Sequence, residues 1–425
     1  MYCPAQRLNH QPAAADTRPR NHPAIYVVSA VVAISLFGDS LLYGVLPLYA
    51  EELGIPLMAV GFVLSMNRWV RLGTNPLAAL TYQKWSWFRP LLGAMILAVI
   101  STFLYSRAWG LLALLLARAL WGMCWSYLRL GSFLIILSTS STSLGLAIGT
   151  HHAVTRLGSA FTSVFGGFLV DQAGYQFGLT VMAALSVLGI LLVFRLRHLL
   201  PQTLQEEARE TVEEREAVVP ELSSTMCYWG GFVNTFVSAG VVVSSLSLVL
   251  HQRLGDMVSL GFWTLGIATV SGLLLAVRWT SSLVVSPLVG RLIDLWGRKR
   301  IFRLVTLVMA FCLLLFGFIK VPLATVLVAC LLFLGGNSMD VVYDTAIGDT
   351  TYQSEPEERA KRLSRYASFC DLGAASGPVI TYFLGSKIGF EWPFFLGAVM
   401  LFSLLVVNLK GLFPVEISES LSQSQ

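Results

Sequence analysis

The chain has 425 residues, of which 12% are Asp, Glu, Lys or Arg and 55% are apolar, with a mean hydropathy of +0.70 and a formal net charge of +5. A soluble domain carries roughly 25% charged residues, so this composition excludes a soluble globular enzyme, a disordered chain and a secreted disulfide scaffold. The apolar residues come in continuous runs of about 18–28, near the ~20 that a helix needs to cross a ~30 Å hydrocarbon core, and not in the ~10-residue alternating segments of a membrane β-barrel. The expected fold is an all-α polytopic membrane protein.

In chain order, residues 1–23 are polar and contain Pro4, Pro12, Pro19 and Pro23. They lack the apolar core and cleavage site of a signal peptide and read as a cytoplasmic N-terminal tail. Twelve spans are predicted over 24–49, 57–81, 90–106, 109–136, 144–169, 177–196, 225–250, 260–289, 302–319, 322–346, 364–385 and 392–413. Turn residues mark the short connections: Gly54 and Pro56, Ser138 to Ser143, and Lys320 to Pro322. Spans 1–6 make an N-terminal bundle over 24–196 and spans 7–12 a C-terminal bundle over 225–413. Between them lies the longest polar stretch, 197–224, with seven Glu and three Arg, read as a solvated cytoplasmic linker. Residues 414–425 form a cytoplasmic C-terminal tail. Five of the six cysteines (Cys124, Cys227, Cys312, Cys330 and Cys370, with Cys3 the exception) fall in or beside apolar runs without a CxxC pair, and they read as buried hydrophobes rather than disulfides or metal ligands.

Placing the N-terminus inside puts 19 Lys and Arg in cytoplasmic segments or the adjoining inner span ends against four outside (Arg107, Arg253, Lys320, Lys387), a bias that sets both termini and the linker in the cytoplasm. The protein is then expected in the cytoplasmic (inner) membrane.

The halves repeat each other. Arg68-Trp69 followed by Asn75-Pro76-Leu77 in span 2 matches Arg278-Trp279 followed by Ser286-Pro287-Leu288 in span 8. Arg156-Leu157-Gly158-Ser159-Ala160 in span 5 parallels Asp371-Leu372-Gly373-Ala374-Ala375 in span 11. A duplicated six-helix unit is an architecture of secondary transporters, which hold substrate between halves near the bilayer midplane.

After span 8 comes Gly290-Arg291-Leu292-Ile293-Asp294-Leu295-Trp296-Gly297-Arg298-Lys299-Arg300. Gly290 would allow close helix approach, Gly297 a tight turn, and Asp294 an acceptor for loop amides or Arg298. The basic cluster of Arg298, Lys299 and Arg300 would meet anionic lipid. This stretch resembles the loop signature G-x-L-x-D-x-x-G-R-[RK]-[RK] of the major facilitator superfamily (MFS). The resemblance implies the MFS fold, two pseudo-symmetric six-helix bundles, and a cytoplasmic gating latch at Asp294 and Arg298. The first-half equivalent departs from the pattern, with Ala79, Gln83, Ser86 and Trp87 at the corresponding places. Arg118-Ala-Leu-Trp-Gly122 resembles the family's R-x-x-x-G motif, whose Arg is linked with proton coupling. Gly373-x-x-x-Gly377-Pro378 resembles the G-x-x-x-G-P of antiporters, although it stands in span 11 rather than span 5.

Ionisable residues inside spans cost ~2.5–3.5 kcal/mol each even on a lenient scale and persist where they face a cavity or a partner. Helical spacing sorts them into faces: Asn67, Arg71 and Asn75; Arg118, Gly122, Ser126 and Arg129; His152, Arg156, Ser159 and Ser163; Asn337, Asp340 and Asp344. Asp39 and Tyr43 share a face of span 1, and Asn234 holds a comparable place on span 7. Asp39 and Arg118, the deepest, are assigned to proton coupling. Tyr43, Asn67, Arg71, Trp125, His152, Arg156, Asn234 and Asp340 are assigned to the substrate cavity. Arg129, Asp344 and Asp371 fall near the predicted inner span ends and read as snorkelling or latch residues.

Together these readings predict a monomeric secondary transporter of a small organic solute, working by alternating access with protons as coupling ion. Proton-coupled efflux is preferred to uptake of an anionic metabolite by symport, and a non-transporting sensor on the same scaffold is the further alternative. No catalytic constellation, nucleotide-binding loop, metal site, cofactor or nucleic-acid partner is expected.

Overall fold

The computed structural model describes residues 23–107, 109–139, 144–200, 223–260, 263–319, 321–351 and 356–409. The N-terminal tail, most of the 197–224 linker and the C-terminal tail lie outside the described residues. What is described is almost wholly helical and forms a polytopic α-helical membrane bundle.

The first half begins with α1 (Pro23–Ser35) and α2 (Phe37–Tyr49), one rod interrupted at Leu36. A turn at Gly54 (φ 64) and the extended Pro56 reverse the chain into α3 (Leu57–Lys84). Then follow α4 (Phe88–Arg107), α5 (Leu111–Thr139) and α6 (Leu144–Phe161). A π-helical turn at Thr162–Gly166 leads into α7 (Gly167–Leu199), which breaks at Gly174 (φ 84) into two arms. Only a residue without Cβ adopts that φ at little cost, so Gly174 marks the reversal between predicted spans 5 and 6.

The second half repeats the plan. α8 (Ser224–Thr235) runs through a π-helical stretch, Phe236–Val242, into α9 (Val243–Leu254). A short antiparallel hairpin, β1 (Met257–Leu260) and β2 (Trp263–Gly266), precedes α10 (Ile267–Trp296). The bundle closes with α11 (Arg298–Phe318), α12 (Pro322–Thr351), α13 (Pro356–Ile388) and α14 (Glu391–Leu409). Two of the prolines inside helices fall at matching repeat places, Pro76 in α3 and Pro287 in α10.

Length and apolarity single out nine candidate spans among the described residues. One of them, Leu146–Leu199, is the pair of arms on either side of Gly174. α3 and α13 fall outside that set: α3 carries Asn67, Arg68 and Arg71, and α13 begins in the charged stretch 356–365. The predicted count of twelve treats these three features as spans too.

The halves meet along two seams. α3 packs on α13, and α6 with its π-turn packs on α10. We call the face where α1 starts the near face and the opposite one the far face. On the far side α2 packs against α9 and α10. There too the Asp171 carboxylate of α7 accepts from the main-chain N–H of Ala268 (3.2 Å) and Thr269 (2.7 Å) and from the Thr269 hydroxyl, capping the start of α10 from the other half. Large apolar side chains such as Leu116, Phe311 and Leu323 stay exposed around the perimeter, as a lipid-facing surface requires. The described cysteines are all free thiols, buried or half-buried.

Candidate functional site

A cavity of about 370 Å³ lies between the halves. The polar and charged side chains of its lining come from both halves. Asp39 and Tyr43 come from α2; Asn67, Arg68 and Arg71 from α3; Trp121, Trp125 and Arg129 from α5; His152 and Arg156 from α6. Across from them stand Arg278 and Trp279 of α10 and Asp371 of α13. The lining continues toward the near face through Arg129 and Phe133, whereas the far side is closed by the contacts of α2 and the Asp171 cap.

Asp39 and Arg118 pair directly, although 79 residues separate them. Arg118 is fully buried behind the cavity wall, while the Asp39 side chain keeps 13% of its surface exposed on the lumen side. The guanidinium fork is satisfied in every direction. Nε donates to the Val63 carbonyl at 3.1 Å, and Nη2 donates to the Leu64 carbonyl at 3.1 Å and the Tyr43 hydroxyl at 3.3 Å. Asn67 adds a weaker bond to the Asp39 carboxylate at 3.3 Å. A planar fork that meets a carboxylate and two carbonyls at once is something Arg provides and Lys does not.

One turn along, Gly122 explains the rest of the Arg118-x-x-x-Gly122 motif. A Cβ there would run into the main chain of Asn67 on α3. The motif therefore does two jobs: its Arg grips α2 and α3 by hydrogen bonds, and its Gly brings α5 and α3 backbones together.

A second ion pair crosses between the halves. Arg71 Nη2 donates to Asp371 Oδ1 at 2.7 Å, and the neighbouring Arg68 Nη1 donates to the Ala374 carbonyl at 2.6 Å. Sequence reading set Asp371 near an inner span end. The structure instead places it in the middle of α13 and on the cavity, because α13 begins at Pro356 rather than at 364.

Asn234 and Asp340 do not line the cavity. Asn234 is 1% exposed, and its amide donates to Asp340 Oδ1 (2.7 Å) and the Gly336 carbonyl (3.2 Å), tying α8 to α12. The two side chains, one on α8 and one on α12, meet each other rather than the lumen. Asp344 accepts from the Tyr366 hydroxyl at 2.8 Å, a link from α12 to α13. Both adjacent histidines line the cavity, but His151 is buried against Ser29 (3.1 Å) and Phe133, while His152 is exposed. Trp125 lines the cavity with Trp121, their rings 6.1 Å apart.

The 290–300 loop differs from its expected bonding. Gly297 (φ 81) ends α10 and starts α11, the turn that its type allows. Arg298, however, pairs with Asp349 at the end of α12 rather than with Asp294. Asp294 is exposed and makes no hydrogen bond or ion pair with a described residue. A Cβ at Gly290 would meet nothing within 4 Å, so no helix approaches there. Lys299 and Arg300 share the first turn of α11 with Arg298, and Arg300 is exposed.

Several residues lie outside the sequence reading of the site, among them Arg68 and Arg278, which line the cavity. Asp171 stood in a predicted loop, and Asp349 beyond the predicted end of span 10. Trp279 was read only as half of a repeated Arg-Trp pair. The usable signal for Asp171 is an isolated carboxylate directly after an apolar run; Asp349 is the third acid of the series Asp340, Asp344 and Asp349.

A family model described as Major Facilitator Superfamily matches residues 28–280 and 264–424. Multidrug resistance protein MdtG of Salmonella typhimurium (strain LT2) is 25% identical over 374 residues, covering 86% of this chain and 89% of its own. MdtG of Klebsiella pneumoniae (strain 342) is 25% identical over 381 residues, covering 87% and 89%. Among solved structures, nucleoside transporter NupG superposes with a TM-score of 0.71 at 13% identity, over 93% of this chain and 100% of its own. A bacterial homolog of the human lysosomal transporter Spinster does so at 0.73 and 12%, over 91% and 95%. At these identities the structural likeness speaks for the fold alone.

Proposed function

This chain belongs to the Major Facilitator Superfamily, and from that premise we propose that it exports a small organic solute across the cytoplasmic membrane in exchange for protons. It is a multi-pass membrane transporter and not an enzyme. The near face is then cytoplasmic, as the distribution of Lys and Arg favours, and the cavity is loaded from that side. Export is supported by the relatives named multidrug resistance protein, which match along most of both chains.

The observation that carries the coupling is the Asp39–Arg118 pair. Its acid touches the lumen and its base is sealed behind the wall. A proton arriving through the cavity reaches Asp39 first. Neutralising that carboxylate removes the counter-charge of a fully buried guanidinium, whose other bonds hold α3 and Tyr43. A cation in that position destabilises its surroundings unless another anion or a rearrangement compensates. Proton binding is thereby converted into a force on the α2–α3–α5 contact, which stands beside the α3–α13 seam between halves. Solute and proton would compete for the same state of the cavity, which is the requirement for antiport.

The test is reconstitution into liposomes with an imposed pH gradient, following solute-evoked proton release with a trapped pH dye. Wild type should release protons when a transported solute is added. Asp39→Asn should reconstitute normally and give no pH-driven flux. Undiminished coupled flux in Asp39→Asn would remove Asp39 from this role.

A further inference from the structure

We propose that Arg156 of α6 and Arg278 of α10 form a clamp for an anionic group of the transported solute, a carboxylate, phosphonate or sulfonate on a small organic body. The inference rests on the chain being a solute transporter, but not on the direction of transport or on the coupling ion.

Five arginines line the cavity, Arg68, Arg71, Arg129, Arg156 and Arg278, against the carboxylates of Asp39 and Asp371. Both acids are spent: Asp39 on Arg118 and Asp371 on Arg71. Arg68 donates to a main-chain carbonyl and lies over the Tyr43 ring. Arg129, exposed toward the near face, also has no side-chain acceptor among the described residues. Arg156 and Arg278 differ from it in converging on one ring, Trp279, on the seam between the halves. Neither guanidinium has a hydrogen-bond acceptor or a carboxylate within 4.0 Å among the described residues. Arg278 is more than nine-tenths buried (8% exposed), and its Nε and Nη1 are sealed from solvent without an acceptor. The Trp279 indole N–H beside it is in the same condition. Asp340, the carboxylate whose charge reaches both arginines, is held by Asn234 at 2.7 Å and does not close on either.

Buried guanidinium donors without acceptors cost free energy that a folded protein ordinarily avoids, and binding sites are where such donors persist. The two guanidiniums converge on one aromatic platform, 5.1 Å (Arg156) and 5.4 Å (Arg278) from the centre of the Trp279 ring. The clustered donors, two forks and an indole N–H, match a group with several acceptor oxygens and a negative charge. The ~370 Å³ of space falls in the ~300–1,000 Å³ range of small-molecule pockets, so room remains for an organic body beyond the anion. The clamp also has a mechanical sense. Arg156 belongs to the first half and Arg278 to the second, on the seam where α6 packs against α10. An anion bound to both ties the halves together, so the loaded carrier differs from the empty one at that seam.

The test is binding by calorimetry on the full chain in detergent, with benzoate, phenylphosphonate, benzenesulfonate, benzyl alcohol, benzyltrimethylammonium and inorganic phosphate as probes. At least one aryl anion should bind, and the alcohol and the ammonium should not. Inorganic phosphate should compete weakly, which separates an organic solute from a site for the free ion. Arg156→Gln, at a side chain open to the cavity, should weaken the aryl anion by about tenfold or more, as the loss of charge-assisted bonds predicts. Arg156→Lys should recover part of that loss. Arg278→Gln should act in the same direction, and Arg156→Gln guards against misfolding at the buried position. Absence of binding by all three aryl anions, equal affinity for inorganic phosphate, a preference for the ammonium, or unchanged affinity in Arg156→Gln would each overturn the clamp. Loss of proton-coupled flux with anion binding intact would instead count against the antiport reading and leave the clamp standing.

Discussion

Arg71 of α3 and Asp371 of α13 meet at 2.7 Å, and this ion pair joins the two halves across the central cavity. Both side chains are largely buried, 11% and 17% exposed. Removing one partner of such a pair leaves an uncompensated charge, which typically costs ~3–5 kcal/mol, whereas removing both can be nearly neutral. Asp371→Asn should therefore lower the unfolding temperature in detergent clearly, and the Arg71→Leu, Asp371→Leu double variant should regain most of the loss. A double variant no more stable than Asp371→Asn would show that the pair is not a strut between halves.

The architecture was legible in the sequence because a membrane makes it so: apolar runs near 20 residues, separated by Gly, Pro and charged turns, can hardly be anything but spans. Element ends were less legible where a helix leaves the apolar layer. α13 starts at Pro356, inside a charged stretch that hydropathy reads as a loop, and this displaced the reading of Asp371 from mid-helix to an end. Faces were legible by i, i+4 spacing, which grouped Asn67 with Arg71 and His152 with Arg156, and the structure places all four on the cavity. What spacing within one helix leaves open is the neighbour a face meets. Asn234 and Asp340 were both recognised as polar residues of their spans, yet they satisfy each other between α8 and α12.

Glycine positions give a sharp contrast. At Gly122 a Cβ would strike the main chain of Asn67, and at Gly272 the main chain of Ser163 in the π-turn. At Gly290, a glycine of the family signature, a Cβ would meet open space. Overpacking against backbone costs ~1–3 kcal/mol and here separates helices outright. Gly122→Ala and Gly272→Ala should lower both thermal stability and transport. Gly290→Ala should keep both, with up to ~1 kcal/mol gained from helix propensity. Equal damage at all three positions would contradict the packing read from the structure.

On the near face Arg298 and Asp349 join the start of α11 to the end of α12, both in the second half. Their side chains are 11% and 23% exposed, while Asp294 is exposed and unpaired among the described residues. Loss of a hydrogen bond to a charged partner of this kind costs about 1–3 kcal/mol. Asp349→Asn should therefore lower the unfolding temperature in detergent, and Asp294→Asn should leave it within experimental error. The reverse order would make the signature acid, not Asp349, the residue that steadies this loop.

Asp171 offers a handle on the far side. Its carboxylate caps α10 through two main-chain N–H groups and the Thr269 hydroxyl, and the side chain belongs to the opposite half. A helix N-terminus carries partial positive charge and unsatisfied donors, so a carboxylate cap contributes about 0.5–2 kcal/mol. Within one half that sum would appear only as stability. Across two halves it biases the carrier toward the state closed on the far side, because opening must break the cap. The reporter is Leu46→Cys, a fully buried position near the far end of α2, labelled with a membrane-impermeant maleimide. Adding Asp171→Ala should raise the labelling rate severalfold. Asp171→Asn keeps one acceptor oxygen and should fall between. A labelling rate indifferent to Asp171→Ala would mean that the packing of α2 on α9 closes the far side without help from the cap.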